Sequence, residues 1–385
     1  AMHDIPLSLP PLSLYVHIPW CIRKCPYCDF NSHASDGHLP EDQYVQALIR
    51  ELEIELPYAQ GRKLSSIFFG GGTPSLFSAE SIGRIIQAAQ RRFDFNDTIE
   101  ITLEANPGTF EQAKFNGFRD VGVNRLSIGI QSFDDRHLTR LGRIHSAENA
   151  RAAVAMAQSA GFDNINLDLM HGLPTQTGAE AIADLQQAID LAPVHISWYQ
   201  LTIEPNTEFY RRPPTLPAED VLDTIQESGH QLLVDNGYFQ YEVSAFCREK
   251  KFALHNRNYW EFGDYLGIGA GAHGKITLPD EQRITRTAKT RNPGDYLARE
   301  NSFIASCKNI PENELALEFM MNALRLNHGV EKPYFEERTG ISLNKINGVC
   351  EKLIAAGLLE NSPSHIVTTK KGHRFLNTVL CYFSE

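Results

Sequence analysis

Apolar residues along the chain fall into two alternating rhythms. Short runs rich in β-branched and aromatic side chains, apolar enough for burial on both faces, occupy residues 13–18, 66–69, 98–105, 125–131, 164–170 and 195–203 and predict strands. Between them, apolar positions recur at the helical spacing of about 3.6 residues over 41–56, 79–93, 147–160 and 179–191. Ser78 and Ser146 precede two of these stretches, where a hydroxyl can accept from the first free backbone N–H groups. Strand–helix alternation implies a parallel sheet with right-handed crossovers; a six-unit open barrel and a doubly wound sheet both satisfy it.

The polar signatures follow the ends of the strand-like runs. A cysteine cluster follows the first, Gly70-Gly-Gly-Thr-Pro the second, Glu104-Ala-Asn-Pro the third, Gln131 the fourth and the stretch from Asp168 to Pro174 the fifth. Parallel α/β folds place their active sites where the C-terminal strand ends emerge, so five loops converge on one face. Residues 204–237 read as a proline-rich connection and a helix over 218–236, followed by a last strand over 238–246. From Pro311 the rhythm changes to three helical segments, a β-rich stretch at 366–369 and a terminal helix. The predicted division is a barrel-type domain over 1–240, a connecting region over 241–310 and a small, mostly helical, winged-helix-like domain over 311–385.

With 385 residues, 42% of them apolar, the chain can bury a large core. Its 36 Lys and Arg against 47 Asp and Glu leave a formal charge of -11, which opposes general affinity for nucleic acid or anionic membrane. A helix-turn-helix reading of the C-terminal part meets the same objection, since residues 311–361 are rich in Glu; a lid over the barrel opening or a docking surface suits it better. No window approaches the roughly 18 uninterrupted apolar residues of a membrane span, and the N-terminus lacks a basic flank followed by an apolar run. The chain reads as cytoplasmic and at most membrane-peripheral, and Ala1 before Met2 reads as a cloning scar.

Seven cysteines, an odd number, argue against a disulfide framework. Cys21, Cys25 and Cys28 form C-x3-C-x2-C, a spacing that lets one loop hold three corners of a four-iron, four-sulfur cube and leaves the fourth iron open. A closed zinc site uses four ligands and would have to recruit His17 or His33. Cys247 is a weak ligand candidate, and Cys307, Cys350 and Cys381 read as small core residues.

The triad, with Tyr27 before its last cysteine, resembles the signature of the radical S-adenosylmethionine superfamily, and Gly70-Gly-Gly-Thr-Pro resembles that family's methionine-binding motif. The resemblance narrows to the coproporphyrinogen III dehydrogenase-like branch, including the HemW-type haem chaperones. It is carried by Tyr15-Val-His-Ile-Pro-Trp-Cys, Ser127-Ile-Gly-Ile-Gln-Ser-Phe, Leu141-Gly-Arg, Asn166-Leu-Asp-Leu-Met and Gly267-Ile-Gly-Ala-Gly-Ala-His. It implies a partial (β/α)6 TIM-like barrel, a [4Fe-4S] cluster on Cys21, Cys25 and Cys28, and S-adenosylmethionine held by Gly71, Gly72, Thr73, Glu104, Gln131, Arg143 and Asp168, with Tyr15 and the Tyr27 backbone beside it. Taken alone, Glu104 reads as a helix-start acid, Arg143 as an exposed ion pair and Asp168 as a strand-end turn.

Two departures separate the chain from the dehydrogenase of that branch. Phe30 stands where the dehydrogenase pattern has a further cysteine, and only about a dozen residues precede the first strand. His255-Asn-Arg-Asn-Tyr-Trp resembles the haem motif of the chaperones, which implies His255 as an iron ligand, Arg257 as a propionate partner, and Tyr259 and Trp260 as cover for a porphyrin face. A basic stretch from Arg248 to Arg291, including Lys250, Lys251, Arg283, Arg286 and Lys289, would receive the propionates; without the resemblance it reads as a solvated loop with a structural histidine. The implied function is haem chaperoning with the cluster, S-adenosylmethionine and haem as cofactors, and haem-requiring respiratory proteins as recipients. Homodimerisation and peripheral membrane association also follow from the resemblance, as does a capacity to cleave S-adenosylmethionine. The alternative is an oxygen-independent coproporphyrinogen III dehydrogenase or another radical oxidoreductase of porphyrin metabolism.

Overall fold

The computed structural model describes residues 5–35, 37–109 and 112–384; Ala1 and Met2 lie outside them. Leu12–Ile18 (β1), Leu64–Gly71 (β2), Phe95–Ala105 (β3), Arg125–Gln131 (β4), Ile165–His171 (β5) and His195–Gln200 (β6) pair in parallel in that order. The order never reverses, so the sheet has no doubly wound switch point. It curls into a partial (β/α)6 barrel wrapped by Glu41–Glu55 (α1), Ala79–Phe93 (α2), Gln112–Asp120 (α3), Ala147–Ser159 (α4), Gly178–Asp190 (α5) and Glu219–Asp235 (α6).

Strand register explains how one sheet serves both core and site. Leu14, Ile67 and Ile101 align across β1–β3 and point outward under the helices; Val16, Phe69, Leu103 and Leu126 form the next layer, and all these side chains are buried. The alternate positions point inward and are largely polar, so the strands are buried on both faces but apolar on only one. Ser13 aligns with Ser66 and Glu100, and Ser127 with Asn166 and His195. Caps fall where the sequence places them: Ser78 Oγ accepts from Ser81 N–H at 3.1 Å, and Ser146 shares a reciprocal capping box with Asn149.

The region 241–310 is part of the sheet rather than a connector. Phe239–Glu242 (β7) and Ala245–Cys247 (β8) make a tight antiparallel hairpin on β6, where the sequence suggested one strand. Asp264–Ile268 (β9) pairs parallel with the free edge of β1, and His273–Leu278 (β10), Arg283–Lys289 (β11) and Ile304–Asn309 (β12) extend it as an antiparallel meander, making twelve strands in all. Cys307 lies exposed on this last edge strand and Cys381 is also exposed, so neither is the core residue the sequence suggested, whereas Cys350 packs half-buried against the core of the C-terminal unit.

The short helix Leu254–Trp260 closes the barrel floor. Glu100 Oε2 accepts from Leu254 N–H at 2.8 Å and Glu100 Oε1 from His255 N–H at 3.2 Å, placing a carboxylate on the free donors of a helix start. The C-terminal unit carries the helices Glu312–Ala323, Lys332–Thr339 and Asn347–Ala355, with Val330–Glu331 paired to His365–Ile366. Its core includes Phe262 of the floor, and Arg338 Nη1 donates to Glu261 O at 2.7 Å. It therefore packs beneath the floor and does not cover the mouth, in contrast to the expected lid. No helix among the described residues is long and apolar enough to cross a membrane.

The fully buried Lys289 of β11 donates to Glu51 Oε2 at 2.6 Å, to Glu55 and to Gly267 O at 2.8 Å. Removing the cation leaves two carboxylates without their counter-charge inside the protein. Lys289→Met is expected to lower unfolding free energy by about 3–5 kcal/mol in urea titrations.

Candidate functional site

The cysteine loop leaves β1 at Ile18 and returns alongside itself. Trp20–Cys21 pairs with His33–Ala34, and Ser35 N–H donates to Cys21 O at 2.7 Å, closing a lasso that contains Cys21, Cys25 and Cys28. Within it, Cys28 N–H donates to Cys25 O at 3.1 Å. Asn31 pins the lasso to the barrel by donating to Ala270 O at 3.1 Å and Arg291 O at 2.9 Å. Beneath it, His17 Nε2 donates to Asn31 O at 2.7 Å, which leaves Nδ1 to accept from Tyr15 O–H at 2.8 Å. Both ring nitrogens of His17 are thus occupied, which removes it as a zinc ligand.

The glycine motif has a role in this lasso that a ligand-binding reading alone omits. Gly72 N–H donates to Ile18 O at 2.7 Å and Thr73 N–H to Trp20 O at 2.6 Å, bringing the end of β2 against the cysteine loop. A Cβ on Gly72 would lie 2.3 Å from Trp20 O; Gly71, at φ 121°, would meet Ile18 O at 2.6 Å. Only glycine permits this approach.

Opposite the lasso, the ends of β3–β6 supply the rest of the rim. A cavity of about 510 Å³ is bounded by the three cysteines and by Tyr27, Gly71, Gly72, Thr73, Glu104, Gln131, Arg143 and Asp168. Tyr15 lies below it, stacked on Phe68. Arg143 Nη2 donates to Gly129 O at 3.0 Å, and its Nη1 faces Cys25 Sγ at 3.6 Å and Tyr27 Oη at 3.5 Å. Gln131 Oε1 accepts from Tyr199 O–H at 2.9 Å, and Asp168 Oδ1 from Asn166 Nδ2 at 2.9 Å. Burial, and then the charge of Asp168, push the Glu104 carboxyl up to about 8, and burial raises Asp168 as well.

These residues suit the two groups the cysteine spacing calls for. Three thiols on one lasso can hold three irons, and a pocket with two carboxylates, one guanidinium, an amide and glycine backbone matches a ligand that carries a cation, hydroxyls and a carboxylate. The carboxylates destabilised by burial are the groups such a cation would stabilise. Tyr199 and Met170 also line the cavity and went unnoticed in the sequence, because their inward direction depends on the register of β5 and β6.

The residues read as a haem motif lie elsewhere. His255 is buried in the floor: its Nδ1 meets Ser66 Oγ at 2.8 Å, its ring stacks on Phe68, and burial drives its pKa down to about 3. His255 therefore stands inside the floor in this structure, away from the cavity, and not on an open face as the haem-motif reading expects. Arg257 pairs with Glu261 at 3.0 Å, Tyr259 packs edge-on against Trp260, and the Arg325 guanidinium covers the Trp260 ring. The basic stretch is also largely neutralised from within, by Glu281 at Arg283, Glu318 at Arg286 and Glu51 and Glu55 at Lys289.

An open six-strand barrel with a three-cysteine lasso beside a glycine-lined rim defines a radical S-adenosylmethionine protein. Residues 15–188 match the radical SAM superfamily and residues 310–375 the HemN C-terminal domain. The chain is 52% identical over 381 residues to the heme chaperone HemW of Haemophilus influenzae, covering 98% of both chains. It is 48% identical over 377 residues to the heme chaperone HemW of Escherichia coli, covering 98% of this chain and 99% of that one. The chain belongs to this HemW family. Its fold also superposes on the coproporphyrinogen III oxidase HemN of Escherichia coli, a radical SAM enzyme, with a TM-score of 0.82 over 98% of this chain and 90% of that one, at 24% identity.

Gly72→Ala is expected to lose most of its iron after anaerobic reconstitution, read by iron and sulfide assay. The global unfolding free energy should change by no more than about 1–2 kcal/mol, because the clash is confined to the lasso.

Proposed function

We propose that the protein is a cytoplasmic haem chaperone, taking up haem and passing it to haem-requiring respiratory proteins with the help of a [4Fe-4S] cluster and S-adenosylmethionine. The observation that carries this reading is the barrel mouth: a complete cysteine and rim constellation with Phe30, 65% exposed, where the dehydrogenase pattern has a cysteine. Likeness to four proteins named heme chaperone HemW, at 42–52% identity over nearly the whole chain, supports it.

Cys21, Cys25 and Cys28 would hold the cluster, and the rim from Gly71 to Asp168 would hold S-adenosylmethionine. When bound there, the cluster and S-adenosylmethionine would supply one-electron reductive chemistry at the sulfonium. The protein's own residues bind and orient. Arg143 offers a guanidinium to the cofactor carboxylate, Glu104 and Asp168 accept from its ammonium and hydroxyls, and Tyr199 holds Gln131 in place through its hydrogen bond. Sequestration within the barrel limits access of water from below, because the floor helix seals that end.

The complete rim also favours a second reading, oxidative decarboxylation of coproporphyrinogen. Phe30 opposes it, since a phenyl ring cannot perform thiol chemistry.

Haem titration of the reconstituted protein is expected to give a saturable Soret change, and incubation with coproporphyrinogen and a reductant no decarboxylated porphyrin; absence of the Soret change together with product formation would reverse the assignment. His255→Asn is expected to keep the Soret change while losing about 1–3 kcal/mol of stability, as for a broken buried hydrogen bond. A protonated Glu104 must ionise to receive a cation, so S-adenosylmethionine binding should release a proton. Affinity should rise from pH 6 towards 8 and level off above it, where Glu104 is already ionised. Calorimetry in buffers of different ionisation enthalpy reads the proton, and Glu104→Gln should abolish the slope.

A further inference from the structure

On the outer wall of the barrel, one turn beyond the cofactor rim, His137 presents an unusual balance. Its side chain is 2% exposed, and neither ring nitrogen has a hydrogen-bond partner. Nε2 points at two carboxylates from different segments, 3.4 Å from Glu180 Oε2 and 3.8 Å from Asp134 Oδ2. Each carboxylate uses its other oxygen to cap a helix: Asp134 Oδ1 accepts from Arg136 N–H at 2.9 Å, and Glu180 Oε1 from Thr177 N–H at 2.9 Å. The caps hold Oδ2 and Oε2 in a fixed direction, towards the imidazole.

We propose that Asp134, His137 and Glu180 form a binding site for a divalent transition metal of the zinc class. Tetrahedral zinc with bonds of about 2.0–2.2 Å separates neighbouring donors by roughly 3.3–3.6 Å, close to the spacing of the His137 nitrogen and the two oxygens. One imidazole and two carboxylates on one side leave the outer position open to water. A cation already occupies that place: Arg136 Nη2 lies 3.1 Å from Asp134 Oδ2 and 2.5 Å from Glu180 Oε2. Its side chain is 71% exposed and free to swing into solvent when a metal displaces it. The metal satisfies the imidazole nitrogen that the guanidinium, a donor only, cannot.

The site would tie the segment after β4 to the first turn of α5. The same two segments already meet where Asp184 accepts from Ser132 O–H at 2.6 Å and from Phe133 N–H at 2.9 Å. Gln131, at φ 68°, directly precedes this clamp and faces the cavity. The bound ion would therefore stiffen the strand end that presents Gln131 to the cofactor.

Zinc is the probe, offered to cluster-reconstituted protein in which Cys21, Cys25 and Cys28 are occupied and the exposed Cys307 and Cys381 are replaced by Ser, followed by desalting and metal analysis. One zinc per chain beyond the iron is expected. His137→Gln should weaken binding at least about tenfold, the size of effect seen when a metal site loses a supporting group. Glu180→Gln should do the same while keeping its helix cap, and provides the reading should His137→Gln fail to fold. Arg136→Gln, by removing the competing cation, should bind zinc more tightly than the unaltered protein. A Cys21/Cys25/Cys28→Ser variant should retain its zinc, and cobalt in it should show visible ligand-field bands without sulfur charge transfer. Failure to retain zinc in the reconstituted protein overturns the proposal. So does zinc that survives both His137→Gln and Glu180→Gln, or that disappears with the cysteines.

Discussion

Two backbones approaching without side chains between them hold the site together. Thr73 N–H reaches Trp20 O at 2.6 Å only because Gly71 and Gly72 place no Cβ in the way. Through that contact the cysteine loop becomes an extension of the barrel rim. The lasso needs such an anchor, because three cysteines within eight residues leave little room for apolar packing of their own. His17 and Asn31 complete the anchorage from below, with every ring nitrogen of His17 used in doing so.

The rest of the barrel is arranged to keep this rim in place while leaving its mouth open. An open barrel exposes a polar interior unless one end is sealed. Here the seal is the helix Leu254–Trp260, held by the Glu100 carboxylate and by Asn258, which donates to Ser13 Oγ at 3.0 Å. The C-terminal unit packs under this floor, so it supports the end remote from the chemistry. The free edge of β1, where a closed barrel would continue, is covered by β9 and the meander beyond it. Two buried lysines are treated alike: Lys289 is matched by Glu51 and Glu55, and Lys275 by Asp264. The rim carboxylates Glu104 and Asp168 are the contrast, since they face the cavity and burial raises both.

The HemW family and the HemN fold share this scaffold. Phe30 is a large exposed apolar group beside the cysteines, where Ile22 and Ile144 are also exposed. These exposed apolar groups flank a pocket whose rim of carboxylates, amide and guanidinium is polar.

How much of this was legible in the chain depends on the range over which each feature is decided. The cysteine spacing, the glycine run, the caps at Ser78 and Ser146 and the alternation of strand and helix are local, so a parallel α/β sheet and the residues that gather around the cavity could be read from the sequence, while the choice of an open barrel over a doubly wound sheet rests on strand pairing. Tyr199, the hairpin of β7 and β8 and the role of β9 depend on which strands pair and in what register, which no local pattern records. The same limit applies to residues 248–291. His255 and Lys289 look like a ligand and a surface cation when taken in order along the chain. Folding turns both inward, onto Ser66 and onto the Glu51–Glu55 pair, because a polar side chain brought into the interior must find its partner there. The sequence determined which chemistry the loops could hold; only the tertiary structure decided which polar residues face the ligand and which are consumed in holding the barrel shut.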